Sequence, residues 1–351
     1  MESGYLDILI RKPDKIIVNK EEDEQQIKII NEEGIGDDIY DTIPIKLVEQ
    51  KFKDKIKLTK LKYSLNSELQ PYVWLNYGTI LVKGGYWNGN IIIQNIIKEK
   101  ENNNILDNKN NTYIYTTKEY SPITKIIVDY NETIAICGNM NGTIYIYRIK
   151  PNNKLNWTLF KTINDHNSPI VSIALNETLN IAITCSENGL CNLYTLPYFK
   201  LYNSFIIGKD DNDLNDNDVL CPDIVLMSDS SLPCFIFYVN DIRTIYFYSI
   251  NGKLLSKQKL NYELNEKSIK IYRDYQFVDY LVIFNSEKKL FEIRSMVEFE
   301  LIGTSPTLND IEFIDFVFSW DCEHILVLGK ANDKYNLYII YDMNNNKIIW
   351  K

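Results

Sequence analysis

Histidine is nearly missing from this chain: His166 and His324 are the only two among 351 residues. A three-histidine metal centre is therefore excluded. Cysteine is scarce as well, with six residues at Cys137, Cys185, Cys191, Cys221, Cys234 and Cys322 and no C-x-x-C spacing. Several lie inside apolar runs, the pattern of buried free thiols in a reducing compartment. No G-x-S-x-G or H-E-x-x-H is present, and Gly84-Gly85 lacks the third glycine and following helix of a phosphate-binding loop. No apolar run approaches the roughly 20 residues of a membrane span. The start, "MESGYLDILIRKPDK", lacks the basic and apolar regions of a signal peptide. The net charge is −9, with acidic residues spread along the chain, so no basic face is expected to neutralise a phosphate backbone. These absences predict a cytoplasmic protein with no nucleic-acid partner, no cofactor, no metal and no small-molecule substrate.

What the chain has instead is short apolar runs rich in Ile, Val, Tyr and Phe, four to eight residues long and bounded by Asn, Asp, Gly and Ser. Such runs are strands, and the fold class is all-β. They recur as a unit of strand, turn, strand, Gly or Asn turn, and aromatic-rich strand. Six copies are readable, beginning near Pro71, Ser121, Asp165, Asp223, Ser268 and Ile311. The inner turns fall at Gly89, Gly142 and Gly189, then near Asp241, Glu287 and Asp333, five intervals over 244 residues, or about 49 each. That is slightly above the 40–45 residues of a WD-type propeller blade. Polar inserts such as "KEKENNNILDNKNNT" and "GKDDNDLNDNDV" account for the excess.

A single blade cannot bury both faces, whereas blades stacked around an axis can. The expectation is one propeller domain of seven blades. Residues 67–351 supply the readable blades, and the strand-like pieces of residues 1–66 form an irregular first or closing blade.

The copy "DHNSPIVSIALNETLNIAITCSENGLCNLYTLP" is a degenerate WD repeat. His166 stands at the histidine, Thr184 at the strand hydroxyl, Asn188 at the turn aspartate beside Gly189, and Tyr194 at the tryptophan. The four side chains are expected to tie loop, turn and strand together, more weakly where an amide replaces the carboxylate. A second unusual stretch is "ILVKGGYWNGNIIIQNI". Asn88-Gly89 suits a tight hairpin, and Gly84, Gly85, Tyr86 and Trp87 precede it. A tryptophan can cover a blade seam while its indole N–H finds a carbonyl, so packing at a seam or as a loop anchor is the first expectation for Trp87. Direct partner contact by Tyr86 and Trp87 is the alternative.

Taken together, the "GGYWNG" turn, "DHNSPIVSIALNETLN" running into "SENGLCNLYTLP", and "YSINGKLL" at Tyr248 to Leu255 resemble, in that order, the C-terminal WD-repeat propeller of BEACH-domain proteins. This is the neurobeachin and lysosomal-trafficking-regulator group. The resemblance covers roughly residues 70 to 350. It implies a non-catalytic protein-interaction scaffold in vesicle or lysosomal traffic, with a BEACH and pleckstrin-like module as a partner in cis or trans. It also implies indirect, peripheral association with endolysosomal or vesicle membranes. The chain is too short to hold those modules as well.

Two other functions stay open: a generic WD adaptor, for instance in a ubiquitin ligase, and a propeller hydrolase with paired carboxylates around its tunnel. "DDNDLNDND", Asp210 to Asp218, lacks the glycine and closing glutamate of a calcium loop and reads as a solvated insert.

Overall fold

The computed structural model describes residues 71–96, 112–209, 211, 219–230, 232–274, 276–309, 311–318, 324–331 and 334–342. They form strands and turns without a helix. Sheet 1 contains β1 (Tyr72–Leu75), β2 (Ile80–Lys83), β3 (Asn90–Asn95) and β4 (Thr112–Thr116). Sheet 2 contains β5 (Ile123–Val128), β6 (Ile134–Asn139), β7 (Ile144–Lys150) and β8 (Asn153–Ile163). Sheet 3 contains β9 (Ile170–Asn176), β10 (Ile181–Ser186), β11 (Leu190–Thr195) and β12 (Lys200–Ile206). In sheet 4 are β13 (Ile224–Ser228), β14 (Cys234–Val239), β15 (Thr244–Ser249) and β16 (Leu254–Lys259). Sheet 5 follows with β17 (Ile269–Arg273), β18 (Asp279–Asn285), β19 (Leu290–Ser295) and β20 (Leu301–Thr304). Sheet 6 has β21 (Glu312–Phe318), β22 (His324–Ala331) and β23 (Lys334–Asp342). Every sheet is an antiparallel meander in chain order.

Three observations make these sheets the blades of a propeller. First, the second strands are apolar without alternation: "IAITCS" in β10 and "CFIFYV" in β14 are buried at every position. A strand reads this way when both of its faces are covered. Second, the cover is supplied by the next sheet in sequence. Five buried clusters join sheets 1 and 2, 2 and 3, 3 and 4, 4 and 5, and 5 and 6. At the third to fourth seam, Phe205 stacks on Tyr248 and meets Phe237 edge-on. Each such aromatic pair adds about 0.5–1.5 kcal/mol beyond area burial.

Third, the first strands are neighbours in succession, β1 beside β5, β5 beside β9, β9 beside β13 and β13 beside β17. The first strands therefore line an axis. Lys125 of β5 forms an ion pair with Glu266, which immediately precedes blade 5, so blades 2 and 5 meet across that axis.

The six sheets coincide with the six repeats expected from the sequence. The expected seventh blade, assigned to residues 1–66, falls outside the described residues. Two inner turns are displaced by two residues from their expected positions. The left-handed residue is Gly89, Gly142 and Gly189 in blades 1 to 3, but Arg243 and Lys289, at φ 50° and 53°, in blades 4 and 5. The mean spacing over these four intervals is 50 residues.

One charge expectation also changes. Acidic residues are not spread evenly over the folded surface: the outer hairpins of blades 2, 3 and 4, residues 144–163, 190–206 and 244–260, contain no Asp or Glu.

Candidate interaction face

The turns between second and third strands and the segments joining blade to blade lie on one face of the ring. Gly89 is in contact range of Thr117 and Ser121, Gly142 of His166 and Ser168, and Gly189 of Leu220. Each of these glycines has φ between +71° and +85°. A Cβ on Gly142 would lie 2.6 Å from the His166 carbonyl oxygen, so backbone, which cannot swing away, fixes the glycine there.

In blade 3, His166 and Thr184 are bonded directly, while Asn188 and Tyr194 bond to Ser186 and Asp165. His166 is buried; its Nδ1 is 2.8 Å from Ser186 Oγ, and its Nε2 is 2.8 Å from Thr184 Oγ1 and 3.2 Å from Asn192 Nδ2. Ser186 donates its single proton to Asn188 Oδ1 at 2.7 Å. It must therefore accept from His166 Nδ1–H, leaving Nε2 to accept from Thr184 and Asn192. Burial drives the imidazole pKa down to about 4, with the Asp165 charge opposing, so the ring is neutral near pH 7.

Ser186 thus stands between the histidine and the turn amide, and Tyr194 donates to Asp165 at 3.2 Å. Ser186, Asn192 and Asp165 are the members the sequence reading missed. Ser186 is a small polar residue inside a strand and carries no distinguishing pattern. In blade 2, Glu119 holds the corresponding loop position and accepts from Thr143 Oγ1 at 2.6 Å and Asn139 Nδ2 at 3.2 Å.

The Gly84–Gly89 stretch enters blade 1 from the seam outward. Gly84 is buried, and a Cβ there would sit 2.9 Å from Ile123 Cβ of blade 2, so its small size sets the approach of the two sheets. Gly85 follows in the left-handed region. Tyr86 is half-buried, which raises its phenol pKa. The tight turn is placed one residue earlier than expected: Gly89 N–H donates to the Tyr86 carbonyl at 2.9 Å, making Trp87 and Asn88 the central pair. Neither has positive φ and Gly89 does, the pattern of a type I turn closed by a left-handed residue.

The expectation that Trp87 packs at a seam or as a loop anchor is wrong. As the first central residue of a turn pinned by Thr117 N–H to the Gly89 carbonyl, it points outward and is 82% exposed. Tyr120, from the adjoining segment between blades 1 and 2, is 70% exposed, and Met140 at the next inner turn is also exposed. Met140 N–H is anchored to the Pro122 carbonyl at 2.9 Å. Three large apolar side chains thus rise from neighbouring, hydrogen-bonded loops.

Other sequence candidates have structural employment. Cys137, Cys185, Cys191 and Cys234 are buried free thiols, and burial pushes Cys137 and Cys191 well above the ordinary thiol range. Asp211 accepts from Lys257 Nζ at 2.5 Å and from Tyr246 at 3.2 Å. Near the axis, Glu266 pairs with Lys125, and Asp223 accepts the Asn240 N–H at 2.8 Å. No group of His, Cys, Asp and Glu able to hold a metal occurs among the described residues.

These features define a β-propeller built of antiparallel sheets. No family model matches the chain, and no curated protein matches it. Among solved structures, the WD40 propeller domain of Doa1 is similar over 76% of this chain and 77% of its own, at 14% identity and a TM-score of 0.48. The computationally designed Ika8 protein is similar over 77% of this chain and 71% of its own, at 12% identity and a TM-score of 0.47.

Proposed function

We propose that this propeller is a non-catalytic protein-interaction scaffold whose partner docks on the loop face above blades 1 and 2, with Trp87 as the anchor. The observation that carries this is the exposure of Trp87 on a turn whose backbone is fixed from both sides. A rigid, outward tryptophan with a tyrosine and a methionine on adjoining loops has the composition of an interface hot spot. The finer reading, a role in BEACH-type vesicle or lysosomal traffic on endolysosomal membranes with a BEACH and pleckstrin-like module as partner, is supported by the sequence motifs alone. So is the seventh blade from residues 1–66.

Affinity capture with tagged wild-type protein and Trp87→Ala, run in parallel, tests both levels. The expected result is a set of endolysosomal proteins retained by the wild type and reduced at least tenfold by the substitution. Ligase subunits in that set would instead favour the generic adaptor. Identical capture by both proteins would remove Trp87 as the anchor.

A further inference from the structure

We propose that the outer rim of blades 2, 3 and 4 is a docking surface for an anionic lipid bilayer, which the ring meets edge-on. The outer hairpins of these blades, residues 144–163, 190–206 and 244–260, hold eight Lys or Arg and no carboxylate of their own, in a chain where acids outnumber bases 47 to 38; two of the eight, Lys154 and Lys257, are ion-paired with Glu132 and Asp211 of neighbouring segments. Arg148, Lys150, Lys200, Lys253 and Lys259 are exposed. Between them lie large apolar side chains in a repeated position. The outer strands of blades 2, 3 and 4 each carry one extra residue opposite Ile146/Tyr147, Leu193/Tyr194 and Phe247/Tyr248, and the extra residues are Phe160, Tyr202 and Leu255. Each follows a leucine, Leu159, Leu201 or Leu254, and all three bulged residues are exposed.

Charge complementarity and shape select the occupant. The bulges interrupt the edge ladder, which blunts the strands against addition of a peptide strand. The rim of a ring is convex, and a bilayer needs no cleft. Blade 3 is the middle of the three and the most apolar, with Tyr198, Leu201, Tyr202 and Ile206 exposed. The flanking blades contribute most of the cations. Seated edge-on, the blade 3 side chains enter the headgroup and acyl boundary by about 5–10 Å. The lysines of blades 2 and 4 then lie at headgroup level, where their stems follow the apolar surface and their ammonium groups meet phosphate.

The test is flotation of the full chain with vesicles of phosphatidylcholine alone or phosphatidylcholine doped with phosphatidylserine. Binding is expected only to the doped vesicles, and it should fall with added salt. Lys200→Gln, Lys253→Gln and Lys259→Gln should each lower the partition coefficient about fivefold. A Tyr202→Trp variant reports insertion directly through quenching of its fluorescence by brominated acyl chains. Failure of the wild type to float with doped vesicles at low salt would overturn the proposal. So would flotation indifferent to the three lysine changes, or a Tyr202→Trp probe that brominated lipid does not quench. Because Trp87 lies on the loop face and not on the rim, Trp87→Ala should leave flotation unchanged, which separates this result from the protein-docking reading.

Discussion

The histidine of blade 3 is a pH-sensitive fastening. His166 is neutral in the folded protein because burial holds its pKa at about 4, whereas the unfolded chain titrates near 6.5. Between those values the unfolded state binds more protons, so stability is fully present above about pH 6.5 and is lost as the pH falls toward 4. The expected loss is about 3 kcal/mol, read as the shift in urea midpoint between pH 7 and pH 4. His166→Gln should be less stable at pH 7 and should lose less of its stability than the wild type over that window. An equal slope for both proteins would place the acid sensitivity elsewhere.

Gly138 offers a second test at this scale. Its φ is not left-handed, but a Cβ would lie 2.5 Å from Ile170 Cγ2 at the seam of blades 2 and 3. Gly138→Ala should therefore cost about 1–3 kcal/mol through overpacking, measured by the same denaturation. Much of the blade 3 network was legible in the sequence, because His166, Thr184 and Asn188 keep the spacing of the repeat. The orientation of Trp87 was not, since residue type alone does not say whether a turn residue faces the seam or the solvent.

Among the elements, the inner turns differ from blade to blade. Blades 1 to 3 place glycine at the left-handed position, while blades 4 and 5 use Arg243 and Lys289 there. Arg243 has compensation in its ion pair with Glu263 at 2.8 Å. For Lys289, a left-handed backbone costs a non-glycine residue about 1–2 kcal/mol, against about 0.5–1 kcal/mol for the extra unfolded-state freedom of glycine. Lys289→Gly should consequently raise stability by up to about 1 kcal/mol, visible as a higher urea midpoint. A lower midpoint would mean that the lysine side chain contributes more than its strain costs. This difference explains why the sequence placed the last turns two residues early: no glycine marks them, and Asp241 and Glu287 were the nearest turn-like residues. The outer-strand bulges were hidden for a related reason, because a bulge depends on the register of two strands and not on the composition of one.

At the scale of the whole molecule, stability is distributed over seams between consecutive blades, and the axis is where non-consecutive blades meet. The six blades were readable because each repeats the same apolar and turn pattern. The uneven charge was also present in the sequence, yet it becomes visible only when the three carboxylate-free stretches are known to be adjacent outer hairpins. Lys125 and Glu266, 141 positions apart, have no sequence signature as a pair.

Burial lowers the Lys125 pKa to about 8 while the Asp223 carboxylate pulls it back up, so the ammonium persists at pH 7 and is given up above about pH 8. The most direct measurement of the ring itself is a double-mutant cycle on Lys125→Ala and Glu266→Ala by equilibrium unfolding. Blades arranged around one axis predict a coupling of about 0.5–1 kcal/mol at pH 7 that fades at pH 9. Strict additivity of the two substitutions at both pH values would contradict the arrangement.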